Sequence, residues 1–513
     1  MAILTQYWGL DGLLLFFCII IGIYLYFTRN FKYWKKLGVK EIPPTVFFGN
    51  LGPCLLAKRS IIDVLQDMYD VGKNELFIGY YVLDKPHLLL RDPELIKHVL
   101  IKDFNYFSSR NATSRSSDIV GKMNLFVVRN PEWKYIRQKL SPIFTSGRLK
   151  KMFELMLEIE KDFSVYLESL NLDGNGRPLD IKEICAKYTT DLIGITAYGM
   201  KFNSLLDPDA LLRKVGKDIF GRTYRRHIEL FSAILIPELV KAFGIQIFGN
   251  GATNFLKKVF WEAIDQRIKS GAKRADLIDL LIDLKKEQEN DSDSNKIELQ
   301  GDALVAQAAI FFTGGFETSS TTMTYTLYEL AKAPELQEKL RKEILDILSQ
   351  SDGMITYDMI TSQLPYLDMV VSETLRMYPI LPFLDRVANM DYEFPGTKLT
   401  VKAGSSVVIP LYAIQNDPQY FSKPRIFDPE RFSPENKRNI KPNTYFPFGD
   451  GPRVCIGMRL GLLQMKLALV HLLSKYKFSP SKETPIPLEF DNLSVFTHSA
   501  ENIILNVQKI CIK

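Results

Sequence analysis

A ten-residue run near the C-terminus constrains the fold most: Phe448-Gly449-Asp450-Gly451-Pro452-Arg453-Val454-Cys455-Ile456-Gly457. Its glycines and proline read as a loop. Beyond it, Ile456, Leu460, Leu463, Leu467 and Val470 recur at helical spacing, which predicts a helix over 456–476. The loop therefore delivers a cysteine to the start of a helix, where free N–H groups and the helix dipole stabilise a thiolate. Gly451 permits a tight turn, and Gly457 lets the first helical turn lie close to a flat partner. The bland alternative is a buried, inert cysteine beside a turn. Cys18, Cys54, Cys185 and Cys511 are scattered and show no paired spacing. Neither a disulfide framework nor a zinc site is expected, and a reducing compartment fits.

The opposite end reads differently. Gly12–Phe27 carries no charge, and Asp11 is the only charged side chain before Arg29. With its flanks this is about 18–20 residues, enough for a thin bilayer. Arg29, Lys32, Lys35 and Lys36 come directly after it, which keeps the C-terminal side cytoplasmic. Tyr7, Trp8, Tyr24, Tyr26, Tyr33 and Trp34 supply interfacial aromatics. A basic leading region and a small-residue cleavage site are both missing, so an uncleaved anchor is expected rather than a signal peptide. The organisation expected is an anchor over 1–28, a basic and proline-rich hinge over 29–50, and one catalytic domain over 51–513. Composition is ordinary for a globular chain, 46% hydrophobic and 24% charged. Lys+Arg exceed Asp+Glu by only 65 to 59, which argues against nucleic-acid binding.

Between the ends, residues 76–90 read as a β-hairpin turning at Asp84-Lys85-Pro86. Helical spacing recurs over 131–140, 149–170, 181–198, 252–270, 301–333, 334–350 and 364–377. The polar stretch 287–296 reads as a surface loop, and 380–450 as irregular and β-rich. The apolar run Phe231–Pro237, beside Arg222, Arg225 and Arg226, reads as an exposed second membrane contact. The fold class is mainly α with a small β subdomain.

Three further patterns carry chemistry. Gly314 and Gly315 sit in the middle of the longest helical stretch, each costing roughly 1 kcal/mol relative to alanine. They let a ligand or macrocycle approach the backbone, unless they serve close helix packing. Thr318 can bond back to a carbonyl one turn earlier. Glu373 and Arg376 share a helix face at i and i+3 and can pair. Trp133 and Arg137, at i and i+4, share another face, and a stacked surface pair is the bland alternative there.

The run 448–457 resembles the haem-binding loop of the cytochromes P-450, Phe-x-x-Gly-x-Arg-x-Cys-x-Gly, matched at Phe448, Gly451, Arg453, Cys455 and Gly457. The resemblance implies haem b (iron protoporphyrin IX) with Cys455 as its axial ligand, and a chemistry that activates dioxygen. Gly314-Gly315-Phe316-Glu317-Thr318 resembles the family's oxygen-binding motif. It implies that Thr318 donates a hydrogen bond to dioxygen and that Glu317 feeds a proton relay, with Gly314 replacing the commoner alanine. Trp133, Arg137, Arg386 and Arg453 are implied partners of the haem propionates; guanidiniums bind carboxylates bidentately. Glu373, Arg376 and Arg431 are implied to form a structural knot behind the haem. The runs 311–320 and 372–388 look most like insect microsomal members of the sixth family, which oxidise xenobiotics.

Gln415 stands where the family usually has histidine, and its position in the chain puts it outside the chemistry. His498 lies in a turn that faces substrate in this family. The reaction implied inserts one oxygen atom into an apolar substrate at the cytosolic face of the endoplasmic reticulum. No GxGxxG pattern comes after a strand, so NADPH is expected to act through a separate cytochrome reductase, with cytochrome b5 a candidate second donor. A haem-thiolate isomerase or dehydratase, and a non-catalytic binder of hydrophobic ligands, are the competing readings. The sequence names no substrate.

Overall fold

A computed structural model of the chain describes residues 7–289 and 299–510. Helices form where apolar residues recur at three- and four-residue spacing. Glu132–Leu140, Ser146–Ser169, Ile181–Ile193, Asn250–Ser270, Asp302–Lys332, Pro334–Ser349, Pro365–Met377 and Met458–Lys475 match the expected runs to within a few residues. Local chemistry sets their starts. Asp180 caps Ile181–Ile193 by accepting the Glu183 N–H. Proline opens Pro334–Ser349 and Pro365–Met377, where its missing N–H has no helical partner to lose.

The strands gather in small sheets, as a mainly α fold with a β subdomain requires. Phe77–Val82 and Lys85–Leu90 form an antiparallel hairpin; Ser406–Ile409 joins it in parallel and Leu384–Val387 extends the sheet antiparallel. The hairpin turn is tighter than expected. Leu83 takes a φ of 53°, and Lys85 and Pro86 already pair with Val82 and Tyr81. A second sheet orders Arg177–Asp180, Ile504–Lys509 and Tyr476–Pro480.

The helix Asp302–Lys332 runs through the larger core. From Ala303 to Ala331 every residue is buried except Ile310, Phe311, Gly314, Gly315 and Thr318. Their spacing puts these five on one face. The helix Met458–Lys475 crosses nearby, where Gln464 Nε2 donates to Gly315 O at 2.9 Å.

The helix Trp8–Thr28 has no buried residue. Its 21 residues span about 30 Å, a bilayer's apolar thickness. The residues just past this helix pack on the hairpin. Arg29 pairs with Asp84 at 2.8 Å, and Trp34 Nε1 donates to Tyr80 O at 3.2 Å. A Cβ on Gly79 would lie 2.3 Å from the Trp34 indole, so glycine admits the ring.

The apolar run Phe231–Pro237 is not a surface patch: Phe231, Ala233, Leu235 and Ile236 are buried, most of them in the β-side core. The helix Tyr224–Leu235 turns Phe231, Ala233 and Leu235 inward, where burial removes their apolar surface from water. Of the expected loop 287–296, the helix Leu277–Glu289 covers the start. Residues 290–298, like Cys511, lie outside the described residues.

Candidate active site

The cysteine loop is held by its own backbone. Cys455 N–H donates to Phe448 O at 2.9 Å, and Val454 N–H to Gly451 O at 3.0 Å. Gly451 takes a φ of +69°, and a Cβ there would sit 1.9 Å from Leu100 O, so only glycine fits. The helix begins later than expected, at Met458 with Gly457 as its cap, because Gly451–Arg453 spends three residues in a 3₁₀ turn. Cys455 and Ile456 therefore precede it. Cys455 is deep within the protein, yet its side chain is accessible. Both hold at once if the sulfur opens onto an internal slot. Burial pushes its thiol up, opposed by the Gly457 N–H, Arg137 and Arg110.

The open face of Asp302–Lys332 forms another wall of the slot. A Cβ on Gly314 would meet nothing within 4 Å, whereas one on Gly315 would lie 2.5 Å from Ile193 Cδ1. The two glycines thus divide the roles the sequence left open: Gly314 clears space and Gly315 permits helix packing. Thr318 Oγ1 donates to Gly314 O at 2.6 Å. Phe311 stacks on Phe144, 5.4 Å between centroids, and Phe144 Cε1 lies 3.9 Å from where a Cβ on Gly457 would be. This chain of contacts joins the long helix to the cysteine loop.

Along one side of the slot four arginines converge: Arg110, Arg137, Arg386 and Arg453. Arg453 stacks on Trp133, its Cζ 4.5 Å from the ring, and donates to Val128 O at 2.8 Å. Burial, then Arg110 and Arg386, pull Arg453 down to about 8; burial and Arg110 pull Arg386 to about 9. The Asp385 carboxylate faces them, and the Cys455 thiol faces Arg110 and Arg137. The Nε atoms of Arg110, Arg386 and Arg453 are buried without a partner. Such a cluster is short of negative charge and of acceptors, and two carboxylates would supply both.

Glu317 turns the other way. Its Oε1 accepts from Lys182 Nζ at 2.6 Å and lies 3.0 Å from His498 Nε2. Burial alone would raise this carboxyl, but Lys182 and His498 outweigh it and hold it well below the usual carboxylate range.

An accessible sulfur and an open glycine, with buried guanidiniums whose Nε atoms lack partners, fit a flat macrocycle with two acidic arms. Among the described residues no group of three or more His, Cys, Asp or Glu could hold a metal by itself. An iron here would take one protein ligand and the rest from the ring. Comparison with known proteins is decisive. Residues 43–506 match the cytochrome P450 family. Cytochrome P450 6k1 of Blattella germanica is 44% identical, with 97% of each chain covered. Probable cytochrome P450 6g2 of Drosophila melanogaster is 41% identical over 96% of this chain and 98% of that one. Cytochrome P450 6j1 of Blattella germanica is 38% identical over 96% and 97%. The chain belongs to the cytochrome P450 family. It is a haem-thiolate monooxygenase, most like insect members of family six.

Behind the P450 slot, Arg376 pairs with Glu373 through two bonds of 2.7 and 2.9 Å, both side chains fully buried. Arg431 Nε adds a third at 3.2 Å. Gln415 belongs to this cluster, which the sequence did not signal. It donates to Leu375 O and Arg376 O and accepts the Phe446 N–H at 3.1 Å, tying the cluster to the cysteine loop. Arg110 also carried no sequence signal. It lies in a segment without motif or period, and only the fold brings it to the other arginines.

Proposed function

We propose that this P450 inserts one atom of dioxygen into lipophilic substrates, with NADPH-derived electrons supplied by a cytochrome reductase. The observation that carries the reading is the open face Ile310–Thr318 of an otherwise buried helix, in a slot that Cys455 shares. A haem bound through the Cys455 thiolate would activate dioxygen, because the thiolate pushes electron density that favours O–O cleavage. A cation facing the sulfur would remove its proton despite burial.

The protein's own part is positioning. Arg110, Arg137, Arg386 and Arg453, with Trp133, would hold the propionates; Gly314 and Gly457 would let the ring lie flat, and Phe448 would pack beside it. Thr318 rests with its hydroxyl hydrogen on Gly314 O. Swinging that hydrogen into the slot would present it to dioxygen, and Glu317 would renew the proton. Ile310, Phe311, Leu381 and Phe496 carry no charge, so they would exclude water and favour apolar compounds.

Membrane placement rests on the exposed helix Trp8–Thr28 and the basic residues after it: the endoplasmic reticulum, catalytic domain on the cytosolic side. Reconstitution with reductase, NADPH and a panel of plant toxins, insecticides and fatty acids tests the reading. Oxygenated products that need all three components are expected. Their absence across the panel would leave a ligand binder.

A further inference from the structure

Glu317 has its charged neighbours on the side away from the slot. Lys182 spends its three N–H donors on Glu317 Oε1, Ser320 Oγ at 2.7 Å and Thr321 Oγ1 at 2.8 Å. It is a fixed clamp. His498 is different, because its second nitrogen points outward: Nδ1 lies 3.0 Å from Ser494 Oγ. Ser494 Oγ already accepts the Phe496 N–H at 3.0 Å, so its own hydrogen is free to donate to Nδ1. Donation from Ser494 would leave a ring hydrogen on Nε2, the nitrogen that faces Glu317.

Beyond Ser494 is a cavity of about 10 Å³, lined by Gly221, Arg222, Asp491, Ser494 and His498 among others. This is room for about one water molecule. Arg222 is exposed there and lies 3.3 Å from Asp491, so the outer charges offset each other. Thr497 pins the same turn, its N–H donating to Ile380 O at 2.9 Å and its carbonyl accepting from Tyr325 OH at 2.9 Å.

We propose that Ser494 and His498 carry protons from the surface to Glu317, which makes His498 a positioning and relay residue of the reaction. A hydronium in the outer cavity gives its proton to Ser494 Oγ as the serine hydrogen moves to Nδ1. The Nε2 hydrogen passes to Glu317 Oε1, and the starting tautomer returns when Nδ1 gives its hydrogen back through Ser494 to water and Nε2 takes up another from water. Water and a protonated Glu317 are left, and no electron moves. Nε2 approaches Oε1 off the line of an ideal hydrogen bond, so a small ring movement makes or breaks the last link. Phe496, on the same turn, reaches Phe220 at 5.5 Å, so a substrate that moved this ring would also move the turn that holds His498. The relay rests on the function proposed above for Glu317.

The test uses full-length holoenzyme with reductase, NADPH and an apolar substrate that the wild type oxidises. His498→Gln retains a donor for Glu317 but cannot relay. Ser494→Ala leaves the His498–Glu317 contact and removes the outer link. Both should keep wild-type haem content. Product per NADPH should fall about tenfold in His498→Gln, with peroxide rising and a larger solvent deuterium isotope effect; Ser494→Ala should change in the same direction. Wild-type coupling and isotope effect in either variant would overturn the relay. If the wild type itself forms no product, the monooxygenase reading fails first, and the two failures stay distinct.

Discussion

Thr318 and Glu317 are chain neighbours with different surroundings. About 100° of helix rotation separates them, so one opens to the slot and the other meets Lys182. Thr318→Ala should therefore keep haem bound while product falls at least about tenfold, with NADPH use and peroxide persisting. Measured coupling equal to wild type would remove Thr318 from the mechanism. Ile310 belongs to the same open face. Ile310→Phe should change the position of oxidation or the substrate range at near-normal holoprotein yield. Were Ile310 core, overpacking would instead cost about 1–3 kcal/mol with unchanged products. Cys455, Thr318 and Arg453 were legible in the sequence because short motifs hold them. Arg110 was not, and neither was the pairing of His498 with Glu317. Both depend on residues that only the fold brings together.

Elements were more legible than contacts. Apolar period marked the eight helices matched above, since that signal acts within one or two turns, but it did not mark Ile61–Val71, Tyr224–Leu235 or Leu277–Glu289. Burial of Phe231–Pro237 was not legible, because an apolar run looks alike whether it faces membrane or core. The cluster of Glu373, Arg376 and Arg431 was visible as pairs, but its tie to the cysteine loop through Gln415 was not. Removing Glu373 strands a fully buried guanidinium, which costs about 3–5 kcal/mol. Glu373→Ala should accordingly yield little haem-loaded protein and a lower thermal midpoint. A stable, fully loaded variant would show that the cluster does not support the site.

For the whole molecule, the residues just past the N-terminal apolar helix pack against the body. Trp34 is almost wholly buried against Gly79 and Tyr80, which ties this segment to the hairpin. A chain of residues 29–513 should retain reductase-supported activity. Trp34→Ala in that chain should cost about 3–5 kcal/mol in thermal or denaturant unfolding. An unchanged midpoint would show that this packing does not hold residues 29–50 to the body. The arginine cluster, the cysteine loop and the open helix face all converge on one sulfur. The reduced carbon-monoxide complex of the purified protein reports that sulfur directly. Wild type should show the red-shifted Soret band of thiolate ligation, and Cys455→His, with haem still bound, should lose it. A red-shifted band that survives in Cys455→His would contradict the assignment of Cys455 to iron.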